Sequence, residues 1–407
     1  MIHSIYRLKR PFHFFKTGIR QGVWAQLKYR FPAKKIKVIA ITGTDGKTTS
    51  STLIYHILNQ ANIKTGLIST VAAKIADKTL ETGLHVTAPS PFETHQFLKQ
   101  MVDEKCQFAV LEMTSHGAYQ FRDWGIKPLY AGLTNITHEH LDYHPDYNHY
   151  IDAKCLLLKK ASQVYLNKDD QSFYRVRQRL NLKTQEVESY SLEDALPAEI
   201  EKAIKKRFKE EYNHSNSRLA VAIAQQIGVD NKIIAKAITT FPGVEGRQEE
   251  IKLGQKFRVI VDFAHTPNAI DSVLLALKKH QKKGNLIALF GSAGKRDISK
   301  RPIMGKMAAK NADLVIITAD DPRTEDIWSI IHQIKSEIKT EHSKIISITD
   351  RFQAIEFALT VLAKPGDTVA LLGKGAEKSL AIGKKEIPWS DRLVAEQIIK
   401  QSLTNSQ

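Results

Sequence analysis

A glycine-bearing turn that carries a lysine and three threonines is suited to hold a polyphosphate, and this chain has one at Gly43-Thr44-Asp45-Gly46-Lys47-Thr48-Thr49. Glycines let backbone N–H groups turn inward around phosphate oxygens, and a helix starting there adds partial positive charge. Lys47 can reach the β- and γ-phosphates of ATP, and the Thr48 hydroxyl can ligate Mg²⁺. The turn is shorter than the common P-loop pattern requires, so a generic pattern search passes over it. A second candidate is the cluster His138, His140, Asp142 and His144. Taken alone it fits either a metal site or a solvent-facing loop, and the residues leave both readings open.

The elements that position these residues alternate between apolar runs and helical periodicity. The run at 38–42 reads as a buried strand and Thr48 to Gln60 as the helix after it; 108–113 and 129–136 read as two more strands. Such alternation predicts an α/β protein with a mainly parallel sheet covered by helices on both faces. Residues 168–210 are more polar and are expected to carry peripheral elements. The spacing of Leu219, Ala220, Ile223 and Ile227 predicts a helix with one apolar stripe, from Asn213 to Gly228. Gly and Pro in the segment 241–247 mark a boundary. Beyond it a second series of strands starts, at 257–264, 285–291, 313–320 and 368–373, as in a Rossmann-like domain. Ligands of open α/β sheets bind at the carboxyl ends of the strands, where these loops carry polar residues.

At 407 residues, with 42% hydrophobic and 25% charged residues, the chain has the composition of a soluble protein of two or three domains. Cys106 and Cys155 sit in no metal-ligand spacing, which suits a reducing cytoplasm. No apolar run approaches the roughly 18 to 20 residues of a membrane span, and nothing resembles a signal peptide. The net charge of +17 is uneven: residues 1–37 hold ten Lys/Arg and no Asp or Glu, interleaved with aromatic residues. That basic segment fits a contact with an anionic membrane surface, which would make the protein peripheral at the inner face. It fits equally an arm packed partly on the first domain. No nucleic-acid partner is expected.

The ordered motifs resemble those of Mur ligases. ITGTDGKTT is similar to the shortened phosphate loop of that family, and LEMTSHG (111–117), LTNITHEHLDYH (133–144), YNHSNSRLA (212–220), GVEGRQE (243–249), VDFAHTP (261–267), GSAGKRD with KRP (291–302), DDPRTE (320–325) and GKGAE (373–377) follow in the family's order. The likeness spans roughly residues 36 to 395, and its nearest branch resembles MurE, which adds the third residue of the peptidoglycan stem peptide. It implies an N-terminal arm over 1–35, a central ATP-binding domain over 36–242 and a C-terminal amino-acid-binding domain over 243–407 that closes over ATP. The implied reaction joins a carboxylate and an amine through an acyl phosphate, with ATP and two Mg²⁺ ions. The implied partners are a muramoyl-peptide precursor and a free amino acid.

The resemblance also assigns residues. Glu112, at a strand end, would hold metal as a Walker-B-type carboxylate does. His140 matches the family's metal-binding histidine, while His138 and His144 keep the solvent-facing reading. Lys154 stands where the family carries a lysine carbamylated by CO₂, which turns an amine into a long anionic ligand for Mg²⁺. Catalysis would thus rest on Lys47, Glu112, His140 and Lys154. Asn216, Arg247, Asp262 and His265 match nucleotide-contacting or hinge positions. Thr87, Thr114, Gln120 and Arg122 would face the precursor, with Ala88 replacing a usual second threonine.

Arg323 stands where the family grips the far carboxylate of diaminopimelate, with Arg296, Asp321, Pro322, Thr324, Gly373 and Glu377 around it. A guanidinium meets a carboxylate bidentately. Asp321 replaces a usual Asn, so an extra negative charge in the pocket is expected, one that would admit a lysine-type ammonium. Ala376 replaces a usual His. The family's UDP-binding N-terminal domain has too little chain here before Gly43, which points to a UDP group held loosely or by another protein, or to a substrate without UDP such as a lipid-linked precursor. The rival readings are a folylpolyglutamate-type ligase, a catalytically silent nucleotide-binding subunit and a basic nucleic-acid-binding NTPase.

Overall fold

The computed structural model describes residues 10–80, 82, 88–137, 144–281, 283–339 and 343–405. The chain divides into two compact units, Met1–Pro242 and Gly243–Gln407.

In the first unit, eight strands among the described residues form one sheet: β1 (Lys37–Thr42), β2 (Thr65–Ile68), β3 (Ala73–Ile75), β4 (Lys78–Leu80), β5 (Phe108–Glu112), β6 (Tyr130–Leu133), β7 (Gln163–Asn167) and β8 (Glu186–Tyr190). Their order is β4-β3-β2-β5-β1-β6-β7-β8. The strands β2, β5, β1, β6, β7 and β8 run parallel, while β3 pairs antiparallel with both β2 and β4 at one edge. Parallel strands buried on both faces need apolar side chains throughout, which is why β1 and β5 read as unbroken apolar runs. Register places Ile41 beside both Glu112 and Gly132, so the loops after β1, β5 and β6 leave the sheet together.

The helix after β1, Lys47–Gln60, buries Leu53, Ile54, Ile57 and Leu58. Each such side chain contributes about 1.5–3 kcal/mol relative to exposure. The helix Glu211–Ile227 lies against it and ends at Gly228, whose φ of 93° closes the last turn in the left-handed region.

The amino-terminal segment packs on this unit through small residues. It forms a π-helical stretch, Phe14–Val23, continued by Trp24–Lys28. Gly18, Gly22 and Ala25 face inward, and a Cβ at Gly18 would come within 2.7 Å of the Trp124 ring. A Cβ at Gly22 would overlap the same indole. Phe14 adds edge-on ring contacts to Phe121 and Trp124 at 5.5 and 5.6 Å. Gly22→Leu is therefore expected to lift the arm off Trp124 while sparing the sheet. Limited proteolysis should then cut within residues 10–30 roughly tenfold faster, a local opening of low cost, with the midpoint of global unfolding little changed.

In the second unit the sheet order is β13-β12-β11-β14-β10-β9, from β9 (Glu249–Ile251), β10 (Arg258–Asp262), β11 (Leu286–Phe290), β12 (Leu314–Ile317), β13 (Lys344–Ser347) and β14 (Thr368–Leu372). Only β9 among these is antiparallel. A separate hairpin joins β15 (Ser379–Ile382) to β16 (Lys385–Pro388). Apolar clusters cover both faces of the six-stranded sheet, as α/β packing requires.

Candidate active site

The loop between β1 and its helix turns at Gly46, in the left-handed region at φ 79°. A side chain there would overlap the Asn216 carboxamide, so the turn needs glycine both for its backbone and for the approach of the helix Glu211–Ile227. Backbone hydrogen bonds tie the loop to the strand ends beside it. Asp45 N donates to Asn135 Oδ1 at 2.9 Å, and Thr134 Oγ1 donates to Asp45 O at 2.6 Å. Thr44 Oγ1 pairs with Tyr150 OH at 3.0 Å. Lys47 Nζ donates to Thr44 O at 2.6 Å, which folds the ammonium over the loop. Thr49 is half-buried in the first helical turn.

Thr48 and Glu112 meet although 64 positions separate them: Thr48 Oγ1 donates to Glu112 Oε1 at 3.1 Å. Glu112 is 2% exposed and also accepts from Thr70 N at 3.2 Å. A hydroxyl and a carboxylate side by side are hard oxygen donors of the kind Mg²⁺ takes, so the donor set fits that ion. Thr70 belongs to no motif; the pairing of β2 with β5 brings it here.

Lys154 reaches the same loop from the helix Tyr147–Leu158. Positions four apart share a helix face, so Tyr150 and Lys154 arrive together. Lys154 is 1% exposed, donates to Gly43 O and lies 4.5 Å from the centre of the Tyr150 ring. His140 and Thr87 lie outside the described residues, as does His138. Among the described residues no group of three His, Cys, Asp or Glu side chains is placed to hold a metal.

His144 departs from the expectation of a solvent-facing side chain. It is fully buried, its Nε2 pairs with Ser115 Oγ at 3.1 Å, and its ring packs against His116 and Tyr150. Thr114 caps the short helix Ser115–Tyr119 by accepting from Gly117 N at 3.1 Å. Arg122 Nε donates to Gln120 Oε1 at 3.1 Å and its Nη1 donates to Ala88 O. Gln120 and Arg122 thus stand together, with Thr114 at the start of the same segment.

In the second unit, Asp262 holds its own strand end, accepting from Gln248 N at 2.7 Å and Ala264 N at 2.8 Å. Arg247 lies over the Phe263 ring at 4.3 Å, and His265 Nδ1 pairs with Phe263 O at 2.9 Å. Arg296 and Thr324 are exposed. Arg323 Nη1 donates to Gly294 O at 3.0 Å.

Asp321 and Arg323 both sit at positive φ, 47° and 52°, where side chains are uncommon. Their neighbours over-determine that backbone: Gly294 N donates to Asp321 O, Arg323 N to Ala381 O and Gly383 N to Arg323 O. The Asp321 carboxylate belongs to this lock. Its Oδ1 accepts from Lys374 Nζ and from Ala381 N, each at 2.9 Å.

The extra negative charge expected in the pocket from Asp321 is therefore met inside the chain by Lys374, itself fully buried. Lys374 also pairs with Glu377 Oε2 at 2.6 Å, and Gly373 approaches the Asp320 carboxylate. Burial pushes the Asp320 carboxyl above its usual range against the pull of Lys374 and Arg351. Burial also works against the Lys374 charge, but Asp320, Glu377 and Asp321 outweigh it and hold its pKa above the usual lysine value. Lys374 sits inside the GKGAE segment, yet its role depends on partners more than fifty positions away.

The neighbouring loop is held by Arg301, fully buried, whose guanidinium bonds Glu325 at 2.6 and 3.0 Å. Those bonds hold the Glu325 carboxyl at about 2, below its ordinary 4.5. Its stabilising effect is therefore complete above pH 4.5 and disappears as pH falls through about 2. Glu325→Gln is expected to lower Tm of the second unit by roughly 3 °C near neutrality. Calorimetry should find that difference closing across this acid window.

Residues 41–238 match the model of the Mur ligase middle domain, and residues 246–375 that of the Mur ligase, glutamate ligase domain. The UDP-N-acetylmuramoyl-L-alanyl-D-glutamate–2,6-diaminopimelate ligase of Clostridium botulinum is 34% identical over 391 residues, 92% of this chain and 80% of that protein. The protein of that name from Trichormus variabilis is 36% identical over 390 residues, 89% of this chain and 77% of the relative. A solved structure of such a diaminopimelate ligase superposes with a TM-score of 0.60 at 27% identity, covering 94% of this chain and 83% of that one. A folylpolyglutamate synthase from Mycobacterium tuberculosis superposes at 0.72 but only 15% identity, over 89% and 93% of the two chains, a likeness of fold alone.

Proposed function

The chain belongs to the Mur ligase family, an ATP-dependent amide-forming ligase by that membership, and on this premise we propose that it joins diaminopimelate to a muramoyl-peptide precursor. ATP is the energy-supplying substrate. The observation that carries the reading is the contact of Thr48 with Glu112 beside the phosphate loop, with Lys154 reaching Gly43 from a third element.

The precursor's carboxylate oxygen takes the γ-phosphoryl group of ATP, and ADP leaves. The amino acid's amine then forms the C–N bond, phosphate leaves with the C–O electron pair, and the nitrogen gives up a proton. Lys47 offsets charge on the transferring phosphoryl group. Thr48, Glu112 and, in this reading, His140 and a carbamylated Lys154 would hold two Mg²⁺ ions, which would supply positive charge against the developing phosphate charge. The fixed amine of Lys154, next to the loop, is the group that CO₂ would modify.

Gln120 and Arg122 are proposed to bind the precursor, with Thr87 and Thr114. Arg247, Asp262, His265 and Asn216 are proposed nucleotide contacts. Arg323 supports diaminopimelate over lysine, because its planar fork suits a second carboxylate. The internal pairing of Asp321 with Lys374 weakens the case for a lysine-type ammonium. Arg296, Pro322, Thr324, Gly373 and Glu377 complete the proposed pocket.

The test is phosphate release and product mass with ATP, Mg²⁺ and UDP-muramoyl-dipeptide, compared across diaminopimelate, lysine and glutamate. Diaminopimelate should give the highest kcat/KM. Release that ignores both precursor and amino acid would sink the proposal.

A further inference from the structure

The amino-terminal helical segment carries two neighbouring apolar faces, one turned inward and one exposed. Its inner face, through Gly18, Gly22 and Ala25, rests on the first unit. Its outer face shows Phe15, Trp24 and Leu27, exposed to 65%, 68% and 56%, with Ile19 and Val23 between them at 39% and 37%. A helix docked by one face on a soluble domain ordinarily turns polar residues outward. Here Phe12, Phe15, Ile19, Val23 and Leu27 recur every three or four positions and make one stripe. The exposed side chains bordering it are Lys16, Arg20, Lys28 and Arg30, and residues 1–37 contain no carboxylate side chain.

We propose that this outer face docks on an anionic lipid bilayer. Aromatic and aliphatic side chains would enter the headgroup boundary while the cations meet lipid phosphates. A nucleic acid would use the cations and leave the stripe in water. Among the described residues no helix is long and apolar enough to cross a membrane. The inner face rests on Trp124 and Phe121, next to Arg122 and Gln120. Docking would thus hold the proposed precursor-binding segment close to the bilayer. That consequence depends on the ligase reading; the docking itself does not.

The full chain should be floated with vesicles of phosphatidylcholine alone and of phosphatidylcholine with equimolar phosphatidylglycerol. At low salt the anionic vesicles are expected to carry about tenfold more protein, and high salt should reduce the difference. Trp24 fluorescence should shift to the blue on the anionic vesicles only. Two double variants, F15S with W24S and K16E with R20E, should each lose about tenfold in binding while phosphate release with soluble precursor stays at the parent level. Equal flotation on both vesicle types, or parental binding by either variant, would overturn the docking. A chain that floats as expected but shows no precursor-dependent phosphate release would leave docking supported and overturn the ligase reading alone.

Discussion

Replacing Lys47 with methionine should reduce precursor-dependent phosphate release by about a thousandfold, the scale expected when a fixed cation is removed from a transferring phosphoryl group. The ammonium is half-buried and its partner within the loop is the neutral Thr44 carbonyl at 2.6 Å. A phosphate oxygen bearing full charge competes well with a carbonyl for that donor. The loss should fall on kcat more than on the KM for the amino acid, whose proposed contacts lie elsewhere in the chain. Stability should change little, because the rest of the loop is held by Asn135, Thr134 and Tyr150. Glu112→Gln offers a contrast. It keeps the acceptor for Thr48 but removes the charge, so its defect should shrink as Mg²⁺ is raised while that of Lys47→Met does not. Activity above about a tenth of the parent in Lys47→Met would be incompatible with this role.

The phosphate loop was legible because its parts are contiguous: glycine, lysine and threonine stand in one turn between a strand and a helix. The parallel strands were legible for a related reason, since burial on both faces demands the unbroken apolar runs of β1, β5, β11 and β14. The run at 129–136 ends as a strand at Leu133, because Thr134 and Asn135 turn to serve the phosphate loop. The edges were not legible. β3, β4 and β9 are three residues each and carry Lys, Thr or Glu, so neither length nor apolar pattern separates them from loops.

What joins distant positions was hidden more deeply. Nothing around Thr70 signals that it will meet Glu112, and nothing around Ser115 signals that it will take His144 out of solvent. The charge of Asp321 is the sharpest case. Read along the chain, it is an added anion beside Arg323; in the fold it is half of an ion pair whose other half lies at position 374.

That ion pair carries the second large expectation. Lys374→Met should lower the unfolding free energy of the second unit by about 3–5 kcal/mol, the usual result of leaving buried charge without its partner. The lysine is completely buried, and Asp320, Asp321 and Glu377 all act on it. Asp321→Asn should cost less, about 1–2 kcal/mol, because the carboxamide oxygen can still accept from Ala381 N and Lys374. Combining the two should recover part of the loss, as one of the uncompensated carboxylates is gone; Asp320 and Glu377 keep the recovery incomplete.

Urea unfolding of the second unit would measure all three. The same variants bear on function, because Asp321 Oδ1 pins the 320–325 loop to Ala381 and so fixes the backbone that presents Arg323. Lys374→Met should therefore raise the KM for the amino acid more than it lowers kcat, a split that general destabilisation does not produce. An Asp321→Asn variant as unstable as Lys374→Met would show that the charge of Asp321, not its acceptor geometry, holds the loop.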